Sequence, residues 1–100
     1  MRVRFSRPAL ADLQDIYEYI SKVNPTAAGR VVTRLMDRAS ALGQMPYEGR
    51  EADEPNIRVV LVPSYRYFIF YRLEGDEVHI THIRHTSRRR LGGTPTSSTD

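Results

Sequence analysis

Two apolar stripes at helical spacing, joined by a link too short for anything but a reversal, constrain this chain more than any other feature. Leu10, Leu13, Ile16, Tyr17 and Ile20 recur every three or four residues, and Ala28, Val31, Val32, Leu35, Met36, Ala39 and Leu42 repeat the pattern. Ser6 is placed to cap the first helix, with Pro8 in its first turn and Asp12 and Asp15 following, and the helix should stop near Lys22. Asn24 then caps a second helix with Pro25 at its first position, and Gly43 and Pro46 end it. The short link predicts an antiparallel helical hairpin. A hairpin alone cannot bury both stripes, so the pair must lie on a sheet.

The rest of the chain supplies that sheet. Val3 and Phe5 alternate with Arg2 and Arg4, a short strand. Three further strand-like runs occupy residues 57–62, 65–72 and 78–85, with turns at Pro63-Ser64 and Glu74-Gly75-Asp76. Residues 46–56 are polar and rich in turn formers, so they read as a surface loop with an acidic cluster, and Gly49 reads as a turn residue needing positive φ. Alternation in the middle run puts Arg66, Phe68, Phe70 and Arg72 on one side, and its tyrosines and phenylalanines read mainly as core. The same rule puts His79 and His85 on one face of the last strand and His82 on the other, a poor arrangement for a shared metal. The predicted fold is α+β, in the order β-α-α-β-β-β: a helical hairpin packed on a small, mostly antiparallel, twisted sheet. Residues 1–91 form the expected domain. Residues 92–100 contain no aliphatic or aromatic residue and are expected to be a disordered tail.

Composition excludes several chemistries. With no cysteine there is no disulfide, thiolate nucleophile or thiolate metal site. No cofactor and no metal are expected. No apolar run approaches a bilayer span and the first residues lack a signal-peptide core, so the expectation is a cytoplasmic protein without membrane contact. The net charge of +3 lies in the second half, since the first 55 residues balance. Every cation except Lys22 is an arginine, whose planar fork suits phosphate and carboxylate. Base composition of the genome accounts for that bias equally well. Cations threaded through the strands suit a polyanion or an acidic protein partner.

Several residues in order resemble the RelE/ParE superfamily of type II toxins over residues 2–90. They are Ala9-x-x-Asp12-Leu13-x-x-Ile16-x-x-Tyr19-Ile20, Pro25-x-x-Ala28, Leu42-x-x-x-Pro46-x-x-Gly49-Arg50, Arg58, the run from Tyr65 to Arg72, and His85-x-x-Arg88-Arg89. The resemblance implies a toxin neutralised by a small antitoxin, which alone would bring the complex to operator DNA. Its ParE-like branch acts on DNA gyrase, and its RelE-like branch cuts mRNA on the ribosome.

Metal-free RNA cleavage needs a base, an acid and cations around the phosphorane. By resemblance to the nuclease branch, Arg66 occupies the place of a catalytic arginine. Arg58 would be a second phosphate clamp, His82 or His85 would move protons, and Arg84 completes the set of nuclease candidates. The terminal tyrosine and the lysines usual in that branch are missing, and arginine cannot act as a base at neutral pH. The residues therefore favour an inhibitor over an enzyme. By the same resemblance Arg84, His85, Arg88, Arg89 and Arg90 would contact gyrase or its DNA. The alternative of a ribosome-dependent nuclease stays open, as does a harmless binding module.

The resemblance also implies an antitoxin segment crossing the hairpin and the sheet edge. Tyr17, Tyr19, Val32 and Met36 are the apolar candidates to receive it. Arg30, Arg34 and Arg38 recur every four residues on one helix face and suit an acidic, partly disordered partner.

Overall fold

The computed structural model describes residues 1–87. It contains β1 (Arg2–Phe5), α1 (Arg7–Ser21), α2 (Pro25–Ala41), β2 (Arg50–Glu51), β3 (Arg58–Val62), β4 (Tyr67–Glu74) and β5 (Glu77–His85). The five strands form one sheet in the order β1-β5-β4-β3-β2. Only the β1–β5 pair is parallel. The expected α+β hairpin on a mostly antiparallel sheet is present, with one strand more than the sequence suggested. That strand, β2, lies within the stretch read as loop. Two residues are too few to show alternation, and pairing with Val59 and Arg58 alone defines them.

Both helix starts follow their capping chemistry. The Ser6 side chain accepts from the Ala9 amide and the Asn24 side chain from the Ala27 amide, each satisfying a donor that a helix start leaves open. Ala9, Leu13 and Ile16 of α1, Val31, Leu35 and Ala39 of α2 and Leu42 just beyond it turn inward. They meet Val60, Val62, Tyr67, Ile69, Tyr71, Val78, Ile80 and Ile83 from one face of the sheet. Leu35 is wholly buried, and truncation to alanine would cost about 2–5 kcal/mol.

Three expectations about backbone are corrected. β4 begins at Tyr67, two residues later than expected, so Tyr65 and Arg66 belong to the turn after β3. Arg66 has φ 63°, a left-handed conformation no regular strand holds, and its carbonyl accepts from the Thr86 amide at 2.8 Å. Gly49 has no positive φ, which among the described glycines belongs to Gly75 alone. Gly49 is required for space instead, because a Cβ there would lie 2.6 Å from the Tyr71 hydroxyl.

The third correction concerns the histidines. Tyr71 faces Ile80 but Phe70 faces His82, so Thr81 is an extra residue in β5 and strict alternation breaks there. The Thr81 hydroxyl donates to the Phe70 carbonyl at 3.1 Å. His79 and His82 consequently share a face, opposite Arg72 and Phe70, while His85 lies opposite Tyr67 on the buried face.

Candidate functional site

Register sorts every charged strand residue onto one side of the sheet or the other. Val60, Val62, Tyr67, Ile69 and Tyr71 face the helices, and Arg58, opposite Tyr71, falls on that side too. The helix-free side carries Val59, Leu61, Phe68, Phe70 and Arg72, joined from β5 by His79, His82 and Arg84. The strand aromatics thus divide: the tyrosines are core, and the half-buried phenylalanines form a tilted pair on the open side with centroids 6.1 Å apart.

Loop 52–57 bends back over part of this open side, closed by a bond of 2.8 Å from the Ala52 amide to the Ile57 carbonyl. Beneath it lies a bay of about 620 Å³. Ile57, Val59, Phe68 and Phe70 give it an apolar floor, while Arg50, Asp53, Glu54 and Thr86 form its rim.

The five residues proposed for nuclease chemistry do not converge. Arg58 donates to the carbonyls of Gly49 at 2.6 Å and Tyr47 at 3.4 Å, and its guanidinium lies 5.1 Å from the centre of the Tyr47 ring. It holds the loop after α2, and among the described residues neither Arg58 nor Arg50 pairs with the nearby Glu51, Asp53 or Glu54. The Tyr71 hydroxyl secures the same loop, accepting from the Gly49 amide and donating to the Pro46 carbonyl, both at 2.8 Å. Burial pushes the Tyr71 phenol above its ordinary value, and the bond from Gly49 offsets part of that rise.

Arg66 stands in the β3–β4 turn rather than in a central strand. His82 Nδ1 lies 3.0 Å from the Asp12 carboxylate of α1. Arg84 is half-buried opposite Phe68 on the helix-free side. His85 lies opposite Tyr67 on the other side, edge-to-face at 5.0 Å, and its Nδ1 accepts from the Ser87 amide at 3.1 Å. Arg58 and His85 are therefore separated by the sheet from His82 and Arg84. Arg88, Arg89, Arg90 and the segment 92–100 lie outside the described residues.

Charge on the open side is largely neutralised. Arg72 pairs with Glu74 at 3.0 Å. His79 contacts Glu77 at 2.9 Å and Glu74 at 3.3 Å. Glu77 also faces Arg2 at 3.6 Å and Arg4 at 3.9 Å. The bond from His79 comes first among the effects that lower the Glu77 carboxyl below its ordinary range. Among the described residues Arg50 and Arg84 form no ion pair, and no three His, Asp or Glu side chains are grouped to hold a metal. Also among these residues, no helix is long and apolar enough to cross a membrane.

The hairpin carries a second concavity, on the other side of the molecule. A groove of about 490 Å³ runs between α1 and α2, lined by Leu10, Leu13, Gln14, Tyr17, Glu18, Val32 and Met36. It unites three expected partner contacts, Tyr17, Val32 and Met36; Tyr19 is exposed but not part of the lining. Leu10 and Tyr17, read as core from the stripe, are 49% and 44% exposed, and Ala9 takes the buried place instead. The helical period gave the direction of the stripe but not its width. Arg30 and Arg34 are exposed on α2, whereas Arg38 is tied to Glu48 at 2.6 Å.

Comparison with known proteins gives concordant results. A family model described as the ParE toxin of the type II toxin–antitoxin system parDE matches residues 3–90. The protein named Toxin RelE2 from Caulobacter vibrioides is 42% identical over 80 residues, which is 80% of this chain and 89% of that one. The solved structure of the chromosomal ParDE system from P. aeruginosa superposes with a TM-score of 0.78 at 26% identity, covering 85% of this chain and 95% of that one. The intact E. coli RelBE toxin–antitoxin complex matches at a TM-score of 0.54 and 14% identity over 84% of this chain and 94% of that one, a likeness of fold.

Proposed function

The chain belongs to the ParE toxin family of type II toxin–antitoxin systems, and from that premise we propose that it inhibits DNA gyrase by binding rather than by catalysis. A cognate antitoxin silences it by laying an apolar segment in the α1–α2 groove. One observation supports the non-catalytic reading above the others. The sheet divides the groups that phosphodiester cleavage would need, Arg58 and His85 on one side and His82 and Arg84 on the other, so no phosphate can touch Arg58 and Arg84 together. Arg58 is occupied with loop carbonyls, and the bay on the open side offers phenylalanine and carboxylate where a phosphorane needs cations.

The groove supports the antitoxin assignment. Leu10, Tyr17 and Met36 are each more than a third exposed, as an amphipathic partner helix or strand would require. Arg30 and Arg34, exposed on α2 outside the groove lining, offer charge to an acidic partner that extends past the groove. The complex, rather than the toxin alone, would reach operator DNA.

Purified full-length chain added to gyrase and plasmid tests the reading. Supercoiling should fall and cleaved complexes accumulate, and added antitoxin should restore activity. Normal supercoiling at large toxin excess would sink it.

A ribosome-dependent mRNA endonuclease is the second reading, favoured by the likeness to a protein named Toxin RelE2 and by the carboxylate that Asp12 brings to His82. Codon-phased cuts in a translating extract, lost in a His82→Ala variant that still binds antitoxin, would replace the gyrase reading.

A further inference from the structure

We infer that the bay on the helix-free face of the sheet is a docking site for an extended basic peptide segment, one carrying an apolar side chain beside a lysine or arginine. The inference goes beyond the toxin reading and does not depend on its target. The bay lies on the side of the sheet away from the hairpin groove, so it is not the place assigned to the antitoxin's apolar segment.

Its chemistry decides the occupant. The floor is apolar and aromatic: Val59 is 4% exposed, while Phe68 and Phe70 remain only half-covered. Leu61, opposite Phe68 on the same side, is 47% exposed and extends that floor. An unbranched or aromatic anchor from a partner would find room there, since the bay's volume of about 620 Å³ matches that of small-ligand and side-chain pockets.

The rim is electrostatically lopsided. Asp53 and Glu54 are exposed at one lip, and among the described residues neither holds an ion pair. Arg50, on β2, is the single cation among the described residues of its lining. Two unpaired carboxylates beside an apolar floor attract a cationic group whose neighbour is apolar. Arg50 is left to donate to a backbone carbonyl of the same segment. A nucleic acid strand fits poorly, because its phosphates would meet Asp53 and Glu54 and, of the strand cations on that side, would find Arg72, His79 and His82 engaged with carboxylates and only Arg84 beside Phe68 without an ion pair among the described residues.

The test is fluorescence anisotropy on the full-length chain with three probes at low salt. These are an acetylated, amidated peptide of alternating arginine and leucine, the same peptide with aspartate for arginine, and a ten-residue oligo-dT strand. The basic peptide should bind at least tenfold more tightly than the other two. The Asp53→Asn/Glu54→Gln variant, altered only at exposed positions, should lose most of that preference while melting like the parent. Phe70→Ala should weaken binding as well; Leu61→Ser, at an exposed site, checks the apolar floor should Phe70→Ala fold poorly. Unchanged affinity in the Asp53→Asn/Glu54→Gln variant overturns the proposal, as does tighter binding of the oligonucleotide. Binding that arises only when Arg88, Arg89 and Arg90 are replaced by alanine would make this chain's own arginines the occupant and would equally overturn a separate partner.

Discussion

The Asp12 carboxylate and the Ile83 amide meet at 2.9 Å across 71 residues of chain. The same oxygen, Oδ2, lies 3.0 Å from His82 Nδ1. β1 ends at Phe5, opposite Ile80, and Ser6 continues the pairing with bonds to the Ile80 and Thr81 carbonyls. Beyond that point no strand among the described residues lies on the outer edge of β5. Asp12 supplies from a helix the acceptor that a longer β1 would have offered.

Replacing Asp12 by alanine should therefore destabilise the fold by about 1–3 kcal/mol, since a half-buried amide loses its partner. Asp12→Asn keeps an acceptor and should lose less. Thermal melting and the exchange rate of the Ile83 amide measure both. An alanine variant that melts like the parent, with Ile83 exchange unchanged, would show the contact to be incidental.

Tyr71→Phe should cost a similar amount, about 1–3 kcal/mol, because the Gly49 amide and Pro46 carbonyl both lose their partner. Gly49→Ala should be destabilising as well, and the double variant should cost less than the two separately, since removing the hydroxyl relieves the nearest clash. Additive costs would argue against contact between the two sites.

Tyr71 also sets a limit on alkaline stability. Burial raises its phenol, so the folded state releases this proton later than the unfolded chain. Its contribution is complete below the ordinary tyrosine value, about 10, and is lost as pH rises through the higher folded value. Denaturation followed from pH 9 upward should show a decline that is shallower in Tyr71→Phe.

Glu77 works in the opposite direction. Its carboxyl is depressed by His79, Arg4 and Arg2, so its contribution is present above the ordinary glutamate value, about 4.3, and fades as pH falls toward the lower folded one. The stability gap between the parent and Glu77→Gln should be level near pH 6 and close at lower pH. A gap that widens with acid would contradict the assigned pairing.

Met36→Glu places a charge in the α1–α2 groove without disturbing helix propensity. If the antitoxin seats there, its affinity should fall by about thirtyfold, or about 2 kcal/mol, while the melting temperature stays put. Arg30→Ala/Arg34→Ala should slow association chiefly at low salt. Titration of labelled antitoxin into each variant reads both effects.

Much of this architecture was legible beforehand. Ser6 and Asn24 cap the helices where their side chains predicted, because capping is local chemistry within three residues. The buried stripe through Leu13, Ile16, Val31 and Leu35 follows from the helical period in the same way. The site was less legible. Arg66 reads as a strand residue from its neighbours, yet the turn after β3 takes it at φ 63°. Nothing in a linear pattern marks Thr81 as the extra residue, because a bulge is settled by the partner strand and not by the bulged one. Leu10 and Tyr17 look identical to core residues until the distance between two helices is known.

The order of residues was enough for both helices, for every strand except β2 and for the direction each helix turns inward, since periods of 3.6 and 2 report directly on burial. Tertiary structure alone decided which cations share a surface. One unpaired threonine brings His82 to the side of His79 and leaves His85 on the other, and a carboxylate 70 residues away holds that His82 in place. Such facts depend on which backbones are adjacent in space, and adjacency is a property of the folded chain.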